Sequence, residues 1–429
     1  MSRVGTKKRV VFTTWGSFGD LHPFMALALE LRQRGHTTVI ATSEIYREKV
    51  ESEGIGFHPV RPDLPFPESA EAAELVRKVS HLRSGPRYLF RKLLGPHLRE
   101  TYADTLSAVE AEGGADLLVS HQVPLTAPLV AEKTGVKWIS SVLFPIAFAS
   151  AYDPPTPPQF PGLRTVAATH PFIARTIYGF GKWTTQPWFE PIQQFRKELG
   201  LPRSRNPIFE GQHSPALVLA LFSKVLSRVE PDFPPNTIIT GFPFFDRNIT
   251  APPPELLRFL DEGEPPILFT LGSSLVWIAK EFYRTSIEVA QQLGKRALLL
   301  VGDPRNLPQA ELPKGIAAFD YAPHSLVMPR ACAIVHQGGI GTTGQALRAG
   351  KPLLIVTAGQ DQPDNARRCV RLGVARTLPL SRFTVPRAVS ELSELLNKSA
   401  YGDRAIRVGQ QVTEEHGTQT ACDAIEGML

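Results

Sequence analysis

The chain has 429 residues, 42% hydrophobic and 21% charged, which excludes global disorder and a collagen-like repeat. At roughly 100–200 residues per domain it is long enough for two sizeable cores. Lys and Arg number 47 against 41 Asp and Glu; an excess of +6 spread over this length suits an anionic small molecule better than nucleic acid, for which a concentrated basic stripe is expected.

Residues 10–12 form an apolar run too short for a signal-peptide core, and the uncharged segment 138–152 is interrupted by Ser140, Ser141 and Pro145. Three scattered cysteines, Cys332, Cys369 and Cys422, exclude a disulfide framework and suit a reducing compartment. A cytoplasmic protein with no bilayer span is expected. Residues 10–14 then read as a strand, 13–23 as a Gly-containing loop and 23–34 as an amphipathic helix, with Pro23 in its first turn and Gly35 just past its end. A strand at 37–41, a helix at 44–53 and strands near 56–59, 116–120 and 137–143 continue a βαβ alternation, which implies a parallel sheet. Residues 83–99 form a basic amphipathic stretch with Arg87, Arg91 and Lys92 among Leu and Phe. It is a solvated helix face or a contact with an acidic membrane surface.

Residues 153–161, DPPTPPQFP, cannot be helix or central strand, and a second break runs from Gly241 to Pro266. The alternation then restarts: strand 267–271, loop 272–274, a helix to 293, and strands at 296–301, 331–336 and 352–357. The expected division is an N-terminal α/β domain at 1–242, a Pro-rich linker at 243–265 and a second α/β domain at 266–400. C-terminal helices at 401–429 complete the chain.

Three loops stand at the carboxyl ends of strands, where open α/β sheets bind ligands. In the first, TTWGSFGDLHP at 13–23, Asp20 and His22 lie before the helix, and Asp20 is either its cap or a functional acid. In the second, Ser273 and Ser274 follow Gly272, as in an anion-binding loop or an ordinary turn. In the third, a strand enters His336 and a Gly-rich turn precedes a helix from about Thr342. Residues 339–344 match G-x-G-x-x-G, and Asp361 follows at the spacing of a ribose-binding acid, so a dehydrogenase must be weighed. A P-loop is excluded, because Pro352 stands where Ser or Thr is needed. Amides at a helix N-terminus, hydroxyls and an imidazole together suit a pyrophosphate.

HQGGIGTTGQALRAGKP (336–352), AGQDQPDNA (358–366) and WGSFGDLHPFMALALELRQRGH (15–36) together resemble glycosyltransferase family 1, the UDP-glycosyltransferases of the GT-B fold. The look is nearest to bacterial antibiotic and sterol-type enzymes. The resemblance implies two Rossmann-like, doubly wound parallel-sheet domains facing across a cleft. It also implies an inverting transfer of sugar from a nucleotide diphosphate sugar to an acceptor hydroxyl. Asp20 falls where relatives place a catalytic His or Asp and is the implied base, with His22 as an assisting group or packing. His336, Gly338, Gly339, Gly341, Thr342 and Thr343 would hold the diphosphate, with Ser273 and Ser274 closing the site. Asp361 and Gln362 would bind sugar hydroxyls. Tyr321, Ala322 and His324 would meet the nucleobase.

Gln337 departs from a His-His-Gly-Gly pattern and is expected to point away from the phosphates. Gln345 is the nearest group for the ribose, and Asp116 is expected to be structural. No Asp-x-Asp pair is present, so no metal or cofactor is expected. The nucleotide sugar is a co-substrate, UDP-linked (UDP-glucose foremost) in preference to dTDP-linked. Phe144 and Phe148, in a Phe- and Pro-rich loop, either line a pocket for a hydrophobic acceptor or belong to the core. Expected partners are the nucleotide sugar and a small-molecule acceptor, with no nucleic acid and with peripheral membrane contact through 83–99, in a monomer or homodimer. The rival readings are a membrane-surface sterol or lipid glycosyltransferase and a non-catalytic nucleotide-sugar-binding auxiliary protein.

Overall fold

Runs such as Val10–Phe12, Ile267–Phe269 and Leu353–Val356 are apolar without alternation, and their side chains are all buried, the pattern of strands covered on both faces. The computed structural model describes residues 7–66, 69–81, 83–210, 212–246, 251–276, 280–307 and 311–429. In it these runs form two sheets, parallel throughout.

The first sheet contains β1 (Arg9–Thr13), β2 (Thr37–Thr42), β3 (Gly56–Pro59), β4 (Leu117–His121), β5 (Lys137–Val142), β6 (Val218–Ala220) and β7 (Thr237–Ile239). Its order is β3-β2-β1-β4-β5-β6-β7, with Val10 opposite both Thr38 and Leu117. The second contains β8 (Ile267–Thr270), β9 (Ala297–Leu300), β10 (Ile316–Phe319), β11 (Ala333–His336), β12 (Leu353–Thr357) and β13 (Ala375–Pro379), in the order β10-β9-β8-β11-β12-β13. The chain reverses its direction of winding between β1 and β4 and again between β8 and β11. These are the two crevices where a doubly wound sheet opens to a ligand.

Four structural details differ from the sequence reading. The first helix spans Phe18–Gln33, so Pro23 lies in its second turn rather than its first. Ser17 supplies the N-cap earlier than the proline suggested, because its hydroxyl accepts from Gly19 N. The stretch 243–265 holds a helix, Pro254–Asp261, whose Leu256 and Leu260 are buried. Residues 272–275 form a helical turn rather than an open loop. The short strands β6, β7, β10 and β13 were not anticipated; at three to five residues they carry little pattern of their own.

Large side chains such as Phe12, Phe24, Phe222 and Phe269 are fully buried, each stabilising the fold by about 1.5–3 kcal/mol. The final helix, Gly417–Glu426, packs back onto Phe18–Gln33. There Arg34 bridges Asp423 and Glu426 at 2.6 and 2.7 Å, and His36 Nε2 lies 3.0 Å from Glu426. Among the described residues no helix is long and apolar enough to cross a membrane.

Candidate active site

The loop after β1 is built around a capping box. Asp20 sits in the first helical turn, and its Oδ2 accepts from the Ser17 amide at 2.7 Å and from the Ser17 hydroxyl at 3.1 Å. Gly16 lies at φ +142°, where a Cβ would collide with the Asp20 carboxylate, so this turn needs glycine for close approach. The second oxygen, Oδ1, faces the end of β4, where His121 Nε2 lies 3.9 Å away.

His121 was not anticipated as a site residue. It is fully buried, and its Nε2 has no hydrogen-bond partner. The Thr14 hydroxyl donates to the Asp20 carbonyl at 3.1 Å, so its 3.5 Å approach to His121 Nδ1 is served by a ring N–H, which the Trp15 carbonyl also accepts. With Nδ1 protonated, a neutral ring turns its Nε2 lone pair toward the carboxylate, and the two repel unless a proton lies between them. Burial lowers the pKa of His121, against the opposing pull of Asp20.

His22, expected as an assisting group or packing, stacks on Phe245 at 5.1 Å and lies 5.3 Å from Phe18. Burial, then the charges of Lys49 and His324, lower its pKa to about 4. It is packing at the seam between the two halves. Asp116 accepts from Lys8 Nζ and Arg9 N at 2.9 and 2.8 Å, a purely structural set of bonds.

The opposite wall comes from the second sheet. His336 ends β11 and is fully buried. Its Nδ1 accepts the Gly338 amide at 3.1 Å, which places the ring proton on Nε2, an atom without a partner. Burial pushes its pKa down to about 3, so the ring is a neutral donor. Helix Ile340–Arg348 follows Gly339, which has no capping side chain, and its first amides point out of the N-terminus.

Two expectations about this loop are corrected. The Thr343 hydroxyl and amide both donate to the Gly339 carbonyl at 2.9 Å, so Thr343 completes the helix and does not face a ligand. Gln337 does not point away: its Nε2 reaches the Thr342 hydroxyl at 3.4 Å, over Gly272 at φ +63°, where a Cβ would strike the amide. Its Oε1 is buried without a partner. Gln337 therefore fills the floor between the two Gly-bearing loops. Ser273 is exposed in the turn Gly272–Leu275, and the Ser274 side chain lies outside the described residues.

Asp361 precedes helix Gln362–Arg371 and accepts from Asn365 Nδ2 at 2.6 Å. Burial, to which the charge of Asp20 adds, pushes its pKa up to about 7. That coupling places carboxylates of the two halves in one field. Gln362 is buried, and its carbonyl oxygen accepts from the Ala358 and Gly359 amides at 2.8 and 3.3 Å. Tyr321 is 69% exposed, with its ring free to stack. Ala322 is fully buried, so only its backbone can meet a base edge, and burial holds His324 at about 4. Gln345 donates to Asp246 at 3.2 Å, and Asp246 pairs with Arg348.

Phe148 belongs to the core. It is stacked 4.0 Å from Phe233 and 5.5 Å from His213, which removes it from the acceptor wall. Phe144 is half-buried at the end of β5.

The two walls meet closely. A Cβ on Gly341 would stand 3.9 Å from the Gly19 Cα, so the N-termini of helices Phe18–Gln33 and Ile340–Arg348 face one another. Beside them, the Thr156 amide donates to Asp364 at 2.8 Å, and Arg368 joins Asp364 (2.7 Å) to Asp153. A cavity of about 580 Å³, lined by Lys7, Arg9, Arg32 and His36, lies at the opposite, amino ends of β1 and β2.

Two Rossmann-like domains with paired loops at their switch points make the GT-B fold, and its family matches and relatives make the chain a glycosyltransferase. Residues 10–143 match the glycosyltransferase family 28 N-terminal domain, and residues 296–426 match the C-terminal domain of erythromycin biosynthesis protein CIII-like proteins. The chain is 32% identical to O-mycaminosyltylonolide 6-deoxyallosyltransferase of Streptomyces fradiae over 425 residues, covering 97% of each chain. It is 26% identical to a sterol 3-beta-glucosyltransferase of Candida albicans over 442 residues, all of this chain but only 28% of that one. Its fold is shared by the glycosyltransferase SsfS6 of Streptomyces sp. SF2575, solved with thymidine diphosphate (TM-score 0.64, 21% identity, 98% of this chain and 99% of that one). The chain belongs to glycosyltransferase family 1, the UDP-glycosyltransferase superfamily.

Proposed function

We propose that the enzyme transfers a sugar, with inversion, from a nucleoside diphosphate sugar to a hydroxyl of a hydrophobic small molecule. The observation that carries this reading is the opposition of Asp20 to an anion-seeking wall, with the first turns of two helices meeting at Gly19 and Gly341. The diphosphate would lie against the first amides of helix Ile340–Arg348 and accept from the His336 Nε2–H, in a field that both helix dipoles make positive.

The acceptor hydroxyl gives its proton to Asp20 as its oxygen bonds to the anomeric carbon. The bond from that carbon to the diphosphate breaks, and its electron pair leaves on the diphosphate oxygen. Attack from the face opposite the leaving group inverts the centre. Donors already fixed in place meet the charge as it develops on the diphosphate, without a reorganisation cost. His121 supports the base: its Nε2, without a partner among the described residues, lies beside Oδ1 and can share the proton that Asp20 takes up. Asp361 and the Gln362 amide would hold sugar hydroxyls, with Tyr321 against the nucleobase.

UDP-glucose is the first donor to test. A dTDP-sugar is the competing choice, since SsfS6 was solved with thymidine diphosphate. For the acceptor, the relatives are named for O-mycaminosyltylonolide and for a sterol, which favours large hydroxyl-bearing molecules of those two kinds. Incubation with UDP- and dTDP-sugars and pooled macrolide, phenolic and sterol acceptors, read by mass spectrometry, tests the proposal. A product gaining one sugar with inverted anomeric configuration supports it. Retained configuration, or undiminished transfer by Asp20→Asn, sinks it.

A further inference from the structure

Among the described residues, half of the exposed large apolar side chains fall within 160–183. Phe160, Phe172, Phe180 and Trp183 are 65%, 69%, 65% and 72% exposed. Helix Pro171–Thr185 is built inside out: it turns Ala174 inward onto Ala151 and Ala167, with Ile177 and Tyr178 beside them, and Phe172, Phe180 and Trp183 outward. A helix of a water-exposed domain ordinarily buries the large apolar groups and exposes the small or polar ones.

The border of this ridge is cationic. The helical segment Leu89–Leu94 packs on Gln186–Phe189, directly after the ridge, through Phe90 and Phe189 at 5.1 Å. It carries exposed Arg91 and Lys92, with Arg87 just before it, and none of the three has an ion-pair partner among the described residues. Arg175 lies over the Tyr152 ring at 5.4 Å. The nearby carboxylates Glu190 and Glu210 are already paired, with Arg203 and Lys182. Apolar aromatic side chains are thus rimmed by cations, with the neighbouring anions neutralised.

We propose that this face docks on an anionic phospholipid bilayer, with Phe172, Phe180 and Trp183 in the interface and Arg87, Arg91 and Lys92 against the headgroup phosphates. Charge complementarity selects the bilayer. The sequence placed the membrane contact in 83–99 alone; in the structure those cations flank an apolar surface that a different part of the chain provides. At the base of the ridge Ala151 leads into residues 153–156, which grip Asp364 and Arg368, so a docked molecule holds its cleft beside the lipid surface.

Vesicle co-sedimentation tests this without donor or acceptor, so its failure leaves the transfer reading intact. The whole chain is expected to pellet with phosphatidylcholine vesicles containing about 30 mol % phosphatidylglycerol, and less so in high salt. Replacing Phe172, Phe180 and Trp183 together by Ser should lower partitioning at least about tenfold. Replacing Arg87, Arg91 and Lys92 by Gln should remove only the preference for anionic vesicles. Circular dichroism checks that both variants fold. No pelleting of the parent chain, or unchanged pelleting of the Ser variant, overturns the proposal. So does a dimer, seen by light scattering, that the Ser variant dissolves while vesicles bind neither protein.

Discussion

Asp20 Oδ1 lies 3.9 Å from His121 Nε2, while Asp20 Oδ2 is held by the Ser17 amide at 2.7 Å. One oxygen of the carboxylate fixes its position, and the other is left for a proton.

From this pair follows the first prediction. Asp20→Asn should keep the fold and nucleotide affinity but lower kcat by about 10²–10⁴-fold. His121→Ala should lower kcat less and displace the acid limb of the pH–rate profile. Because the two act on one proton, the double variant should be no slower than Asp20→Asn alone. An unmoved profile in His121→Ala would show that no proton is shared.

Donor affinity separates His336 from Thr343. Removing the Nε2–H donor in His336→Ala should weaken nucleoside diphosphate binding by about 1.5–3 kcal/mol, measured by calorimetry. Thr343→Val should leave it nearly unchanged, since the hydroxyl is already bonded to Gly339. Equal losses in the two variants would contradict the geometry.

Acid should loosen the protein. His22 and His324 at about 4 and His336 at about 3 stay neutral where the unfolded chain takes protons near 6.5. The unfolded state then binds more protons, so stability is complete above pH 6.5 and falls as the pH drops toward 4. Asp361 acts oppositely: unfolded it ionises near 3.8 and folded near 7, so its contribution declines as the pH rises between them. Three histidines outweigh one aspartate, and denaturation curves should show a net loss on acidification. His22→Phe should flatten that slope.

Asp361→Asn gives a trade between stability and function. The variant no longer carries a charge that folding disfavours, so its Tm should exceed the parent's at pH 8 and approach it at pH 4. Sugar transfer should fall, through the loss of an acceptor for hydroxyls. A Tm below the parent's at pH 8 would mean that the fold favours the Asp361 carboxylate in its charged form.

Arg368 is buried between Asp364 and Asp153, and Arg371 joins Asp153 from a half-exposed position. Arg368→Ala leaves the buried Asp364 without its cation and Asp153 with Arg371 alone, and should cost about 3–5 kcal/mol in urea denaturation. Arg371→Ala should cost at most about 1 kcal/mol.

The sequence showed most plainly what neighbouring residues determine. Long apolar runs marked β1, β8, β11 and β12, and Gly-rich turns marked the loops behind Asp20 and His336. Pro23 obscured the helix start because it pointed to a first turn that the Ser17–Asp20 capping box had already taken. His121 was illegible for a different reason. Its meaning comes from β4 lying beside β1, and strand order is not written in local pattern. Gln337 likewise takes its direction from Gly272, a residue on another strand's loop. Phe148 stayed open between pocket and core in the sequence because both use the same side chains.

The helix Gly417–Glu426 belongs by sequence to one half and by packing to the other. Glu415, just before it, accepts from the Ser223 hydroxyl and the Lys224 amide, and a Cβ on Gly241 would touch the Gly417 backbone. Anyone replacing the second-sheet half of this enzyme with that of a relative has two seams to match, one after β7 and one before Gly417. A graft that carries the second sheet but keeps the host's last helix preserves the Arg34 and His36 contacts. One cut at the first seam alone replaces them with a foreign surface.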